Sequence, residues 1–206
     1  LGEHLFMKIL ITCFDPFGNM EINASRAVLD RIDTYKFDAE IIKLEIPTVR
    51  YKSLEMIQKE IENCHPDVVI SLGQAGGRAD ITIERIGINV DDFRIEDNAG
   101  NKPQDEPIYQ DGPDAYFSTL PVREIVNAIN KHHIAASVSN TAGTFVCNHV
   151  LYGTRYYLEH HYPNIKSGFI HVPFIKEQGE PLHKPYMELE DIVKGIEITL
   201  ETIISR

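Results

Sequence analysis

Short apolar runs alternate with stripes of apolar residues spaced three and four apart, and this rhythm persists along almost the whole chain. "KILITC" (8–13) reads as a strand buried on both faces. Asn23 or Ser25 caps a helix running to about Arg31. "FDAEIIKLEI" (37–46) predicts a second strand closed by Pro47, and the helix after it, to about Glu62, aligns Tyr51, Leu54, Ile57 and Ile61 on one face. "DVVISLG", opened by Pro66, is a third buried strand, and the alternating "DITIERIGINVDDFRI" (80–95) reads as strand or hairpin. From Glu96 to Ala115 the Pro, Gly, Asp and Asn content predicts a long loop, functional or mobile. A helix from Pro121, the strand "AASVSN", a helix beginning at 144–146, the strand "KSGFIHVPF" and a terminal helix over 188–204 complete the series. Strands alternating with helices, without a repeat or linker, predict an α/β fold with a largely parallel sheet in one domain, 7–206.

Composition changes this picture little. The 206 residues are 43% hydrophobic and 25% charged, ordinary values for a soluble globular protein. A net charge of −11 argues against nucleic-acid binding, which needs a basic face, and no run is long enough to span a membrane. Three cysteines at wide spacing fit a reducing cytosol better than a disulfide framework. No cysteine–histidine cluster has metal-ligand spacing, so neither a metal nor another cofactor is expected. Residues 1–6, "LGEHLF", read as a leader or an expression remnant.

The candidate chemistry gathers in four loops assigned to the carboxyl ends of strands: "CFDPFGN", "LGQAGGRAD", "NTAGTFVCN" and "IHVPF". Cys147 falls in the first turn of a helix, where free N–H groups and the helix dipole favour a thiolate; a packed helical cysteine is an equal reading. Among nine histidines, His171 emerges at the site-bearing edge. His149 stands two residues from Cys147, a helical spacing that points the side chains apart. Glu84, between Ile83 and Ile86, is an acid in an apolar strand that needs a partner. "GQAGGR" fits no phosphate-loop pattern, although a nucleoside phosphorylase-like enzyme would use it, with Arg78, for phosphate. A cysteine hydrolase is the stronger reading.

"SLGQAGGR", "ITIERIGINVDDFRIEDNAGN", "TAGTFVCNHVLYG" and "GFIHVPF", in that order, resemble the pyroglutamyl peptidase I (pyrrolidone-carboxylate peptidase) family of cysteine peptidases. The resemblance runs from Met7 to the carboxyl terminus and implies an α/β/α sandwich with a twisted sheet, frequently a homotetramer, in an intracellular enzyme without metal. It implies removal of an amino-terminal pyroglutamate from peptides through a Glu84, Cys147 and His171 triad. Phe14, Phe17, Phe145 and Val146 are then candidates for an apolar slot, Gln74 for a contact to the lactam and Arg94 for added positive charge. "TCFDPFGN" departs from the family pattern, with Cys13 and Asn19 replacing glycines, and puts a second thiol near the expected site. A non-catalytic pyroglutamyl-binding protein is the remaining alternative.

Overall fold

The computed structural model describes residues 6–206; the leader reading, Phe6 apart, lies outside the described residues. Its strands β1 (Lys8–Phe14), β2 (Glu40–Ile46), β3 (Val68–Gln74), β4 (Ile81–Glu84), β7 (Ala136–Ser139) and β8 (Lys166–Val172) form one sheet in the order β2-β1-β3-β8-β4-β7. A separate two-stranded ribbon pairs β5 (Ile86–Ile88) with β6 (Ala115–Phe117). The helices are α1 (Ala24–Arg31), α2 (Lys52–Cys64), α3 (Val122–Lys131), α4 (Val146–His161), the short α5 (Lys176–Gly179) and α6 (Leu189–Ile204).

Period-two alternation sorts the sheet into two faces. Ile9, Ile11 and Cys13 of β1, Ile70 and Leu72 of β3, Ile83 of β4, and Ile170 and Val172 of β8 share a core with α1, α3 and α6. Leu10, Phe14, Val69 and Phe169 point the other way, into a core with α2 and α4. The apolar stripe of α6 buries Ile192, Ile196, Leu200 and Ile203 on the first face. Each such side chain contributes roughly 1.5–3 kcal/mol relative to exposure. The sheet is therefore covered on both sides, which is why its strands read as continuous apolar runs.

The sheet is parallel from β2 through β1 and β3 to β8. β4 then pairs antiparallel with β8, and β7 follows β4 in parallel. One of the four loops is therefore reassigned. β7 runs against β1, β3 and β8, so the segment after it does not leave the shared carboxyl edge. Residues 140–145 must bring the chain back before α4 can begin. Of the two readings of 80–95, strand holds and hairpin does not: β4 and β5 do not pair with each other, and β5 pairs with β6, at the end of the stretch read as loop.

That loop is well anchored. Asp97 accepts from the backbone N–H groups of Arg50, Ala99 and Asn101, each at 2.9 Å. These bonds hold the Asp97 carboxyl below its ordinary pKa against the opposing effect of burial. Asn89 likewise accepts from Ile108 and Tyr109 N–H.

Candidate active site

Alternation also decides which polar groups meet. Thr82 and Glu84 of β4 point away from Ile83, and His171 of β8 points away from Ile170, onto the α2 and α4 face. Glu84 is wholly buried, and its Oε1 lies 2.8 Å from His171 Nδ1. Arg78, from the loop after β3, donates through one guanidinium nitrogen to the same Oε1 and to Thr82 Oγ1, both at 2.7 Å. Its other terminal nitrogen donates to Thr141 O at 2.9 Å. Burial works to raise the Glu84 pKa, but hydrogen bonds and charge from His171 and Arg78, with Ser139 close by, hold it below the ordinary value.

Cys147 sits in the first turn of α4, after Phe145 at the cap position. The first backbone N–H groups of a helix have no intrahelical partner, and among the described residues no side chain caps them here. The thiol turns inward against β3. A Cβ added to Gly73 would lie 2.8 Å from Sγ, so only glycine lets the helix approach this closely. Gly73 is level with His171 in the β3–β8 register, which brings thiol and imidazole to the same height on the sheet. A glycine near the end of an apolar strand is the only trace of this close approach in the sequence.

The thiolate expected from the helix terminus meets an opposing environment. Burial pushes the Cys147 thiol up to about 12; the charge of Glu84 adds to this and Arg78 opposes it. Among the described residues no hydrogen bond joins Sγ to His171. Burial thus opposes the thiolate that the helix terminus favours.

A cavity of 710 Å³ opens over these groups, with Cys147 and His171 in its wall. Phe17, Phe145, Gln74 and Arg94 also line it. Phe145 packs against Phe17 and Phe93, with ring centroids 5.6 Å and 4.7 Å away, and so gives one side an aromatic wall. Phe14 and Val146 do not reach the cavity. Both lie in the core between sheet and α4, because their positions on β1 and α4 face inward. Gln74 has its side-chain oxygen engaged, accepting from Ala24 N–H at 2.8 Å and from Gln178 Nε2 at 2.7 Å. It thereby supports the start of α1. Cys13 is corrected too. It faces the α1, α3 and α6 core, on the opposite side of the sheet from Cys147, and burial pushes its thiol up to about 12.

His149 has a place that its sequence context did not reveal. It is fully buried, with Nδ1 2.9 Å from Asp91 Oδ2, and its Nε2 accepts from Tyr51 N–H at 2.7 Å. Arg50 pairs with the same Asp91 oxygen at 3.1 Å. The network ties α4 to the start of α2 and to the segment after β5. The only hint in the sequence was a histidine on the inner face of a helix.

Thiol and imidazole at the wall of an open cavity, with a buried carboxylate behind the imidazole, are the groups of a cysteine hydrolase on an α/β sheet. A sequence profile described as pyroglutamyl peptidase matches residues 7–206. The chain is 56% identical to a pyrrolidone-carboxylate peptidase of Fusobacterium nucleatum, over 96% of this chain and 93% of that one. It is 51% identical to pyrrolidone-carboxylate peptidase 1 of Caldanaerobacter subterraneus, over 96% and 98%. The crystal structure of the pyroglutamyl peptidase I from Bacillus amyloliquefaciens superposes with a TM-score of 0.94 at 44% identity, covering 98% of this chain and 97% of that one. The chain belongs to the pyroglutamyl peptidase family, a family of cysteine peptidases.

Proposed function

We propose that Cys147, His171 and Glu84 are the groups with which this cysteine peptidase removes an amino-terminal pyroglutamyl residue from peptides. The observation that carries the assignment is the Glu84–His171 hydrogen bond at 2.8 Å, made beside a thiol that opens into the cavity. Glu84 accepts the Nδ1 proton, which leaves Nε2 of the imidazole free to act as a base. His171 takes the Cys147 proton, and sulfur attacks the pyroglutamyl carbonyl. The same imidazolium then protonates the departing amine, leaving a thioester. Water, deprotonated by His171, attacks the thioester, releases pyroglutamate and restores the thiol. The free N–H groups in the first turn of α4 supply an oxyanion site, and Arg94 adds positive charge at the cavity wall.

The substrate ring is flat and uncharged, which suits the Phe17 and Phe145 wall. An open-chain glutaminyl terminus would bring an ammonium into the same slot without a partner. We further propose that the enzyme works in the cytoplasm as a homotetramer. No helix among the described residues is long and apolar enough to cross a membrane, and exposed Phe117 and Leu182 offer apolar surface for self-association.

The test is release of amine from a pyroglutamyl-amide reporter, set beside prolyl and open-chain glutaminyl reporters. The pyroglutamyl compound should be turned over far faster than either, and Cys147→Ala should abolish that turnover. Equal turnover of the glutaminyl compound would refute the pocket, and an active Cys147→Ala would refute the nucleophile.

A further inference from the structure

Among the described residues, Arg78 is the one charged side chain that hydrogen-bonds to the Glu84–His171 pair without belonging to it. A single oxygen, Glu84 Oε1, takes both His171 Nδ1 at 2.8 Å and an Arg78 nitrogen at 2.7 Å, while the buried Oε2 has no hydrogen-bond partner among the described residues. The guanidinium is fixed in turn by Thr82 Oγ1 and by Thr141 O, on the segment that returns the chain to α4. Arg85 cannot replace it, because that side chain is exposed and bonded to Asn140.

A carboxyl buried in apolar surroundings prefers to be neutral. A neutral Glu84 could donate its proton to His171 Nδ1, and the imidazole would then carry its hydrogen on Nε2, where it could no longer accept the thiol proton. We propose that Arg78 is a positioning residue that holds Glu84 as a carboxylate and thereby holds His171 in the tautomer able to deprotonate Cys147. It acts through Glu84 and makes no bond to the reacting atoms. The same cation offsets the negative field that Glu84 exerts on the thiol. The other charged groups at this site are Asp92 and Arg94, of opposite sign, both at the cavity wall on the segment after β5. The inference rests on the catalytic assignment above.

The test compares Arg78→Gln and Arg78→Lys with the wild type on the pyroglutamyl reporter, as kcat and KM across pH. Arg78→Gln should lower kcat by about tenfold or more, the equivalent of roughly one pKa step, with KM within about twofold. The acid limb of the profile should move to higher pH, since Glu84 then protonates more readily. Arg78→Lys, which keeps the charge, should recover much of the rate and return the acid limb toward wild type. A wild-type profile in Arg78→Gln would overturn the proposal, as would a raised KM at unchanged kcat, the mark of a substrate-binding arginine. If Arg78→Gln does not fold, 15N NMR of wild-type His171 decides: a proton on Nδ1 supports the proposal and one on Nε2 overturns it. Activity surviving in Cys147→Ala or His171→Ala would instead sink the catalytic assignment. A wild-type-like Arg78→Gln beside two inactive alanine variants would sink the Arg78 inference alone.

Discussion

Among the described residues, two histidine–carboxylate–arginine groups are built from like parts. In one, Glu84 bonds His171 Nδ1 at 2.8 Å and Arg78 at 2.7 Å. In the other, Asp91 bonds His149 Nδ1 at 2.9 Å and Arg50 at 3.1 Å. Burial does not separate them, since both imidazoles are almost completely enclosed. The difference lies at the second ring nitrogen. His149 Nε2 already accepts from Tyr51 N–H, so that lone pair is spent on the backbone. His171 lines the cavity, and its second nitrogen has no hydrogen-bond partner among the described residues. An oriented imidazole becomes a base only where one lone pair remains unclaimed.

The largest expected effect comes from exchanging the two histidines for alanine in turn. His171→Ala should lower kcat/KM by about ten-thousand-fold while leaving most of the stability, because general-base and nucleophile activation are lost together. His149→Ala should do the reverse. Chemical denaturation should report roughly 3 kcal/mol of lost stability, since Asp91 and the Tyr51 N–H are left buried without their partner. Activity per folded molecule should stay near wild type. A stable, inactive His149→Ala would erase the contrast.

The acids give a smaller and pH-dependent contrast. Glu84→Gln should lower kcat on the order of a hundredfold, since the amide can still bond the imidazole but cannot support its cation. The native Glu84 pKa lies below its ordinary 4.5, so its ionised form stabilises the fold above that value. This contribution is lost as pH falls through the lower native pKa. The stability difference between wild type and Glu84→Gln should therefore shrink on acidification below about pH 4. A difference that grows in acid, followed by urea melts at several pH values, would show the sign to be wrong.

The smallest effect concerns the thiols. Cys13→Ser should leave kcat and KM unchanged, because the sheet stands between Cys13 and the cavity. Iodoacetamide should inactivate in step with Cys147 labelling, and faster as pH rises, because burial raises the Cys147 pKa. Peptide mapping beside the activity assay checks both. Inactivation that follows Cys13 labelling would return that residue to the site.

The elements and their faces were largely legible in the sequence. β1 and β3 are unbroken apolar runs, α6 carries its stripe at helical spacing, and Asn23 caps α1 by accepting from Ser25 N–H as its type suggests. Strand direction was not legible. Nothing within "ITIE" or "ASVS" says which way β4 and β7 run, because orientation depends on which neighbour the chain reaches. The ribbon partner of β5 was hidden for the same reason, at the end of a loop-like stretch. At the site, Glu84 betrayed itself as an acid in an apolar strand, whereas the close approach at Gly73 depends on a helix far away in sequence. The networks of Arg78 and His149 join residues 63 and 58 positions apart, and no local pattern encodes such pairings.

The order of strands across the sheet also has a meaning in time. β8 lies between β3 and β4, yet it is the last strand to leave the ribosome. Until residues 166–172 are synthesised, the growing chain can build at most two partial sheets with a gap between them. Across that gap His171 must arrive, between the glycine that admits the nucleophile and the acid that orients the base. On the catalytic assignment proposed above, a nascent chain that carries Cys147 and Glu84 but not yet His171 should have no peptidase activity, so that activity would begin only as the sheet closes.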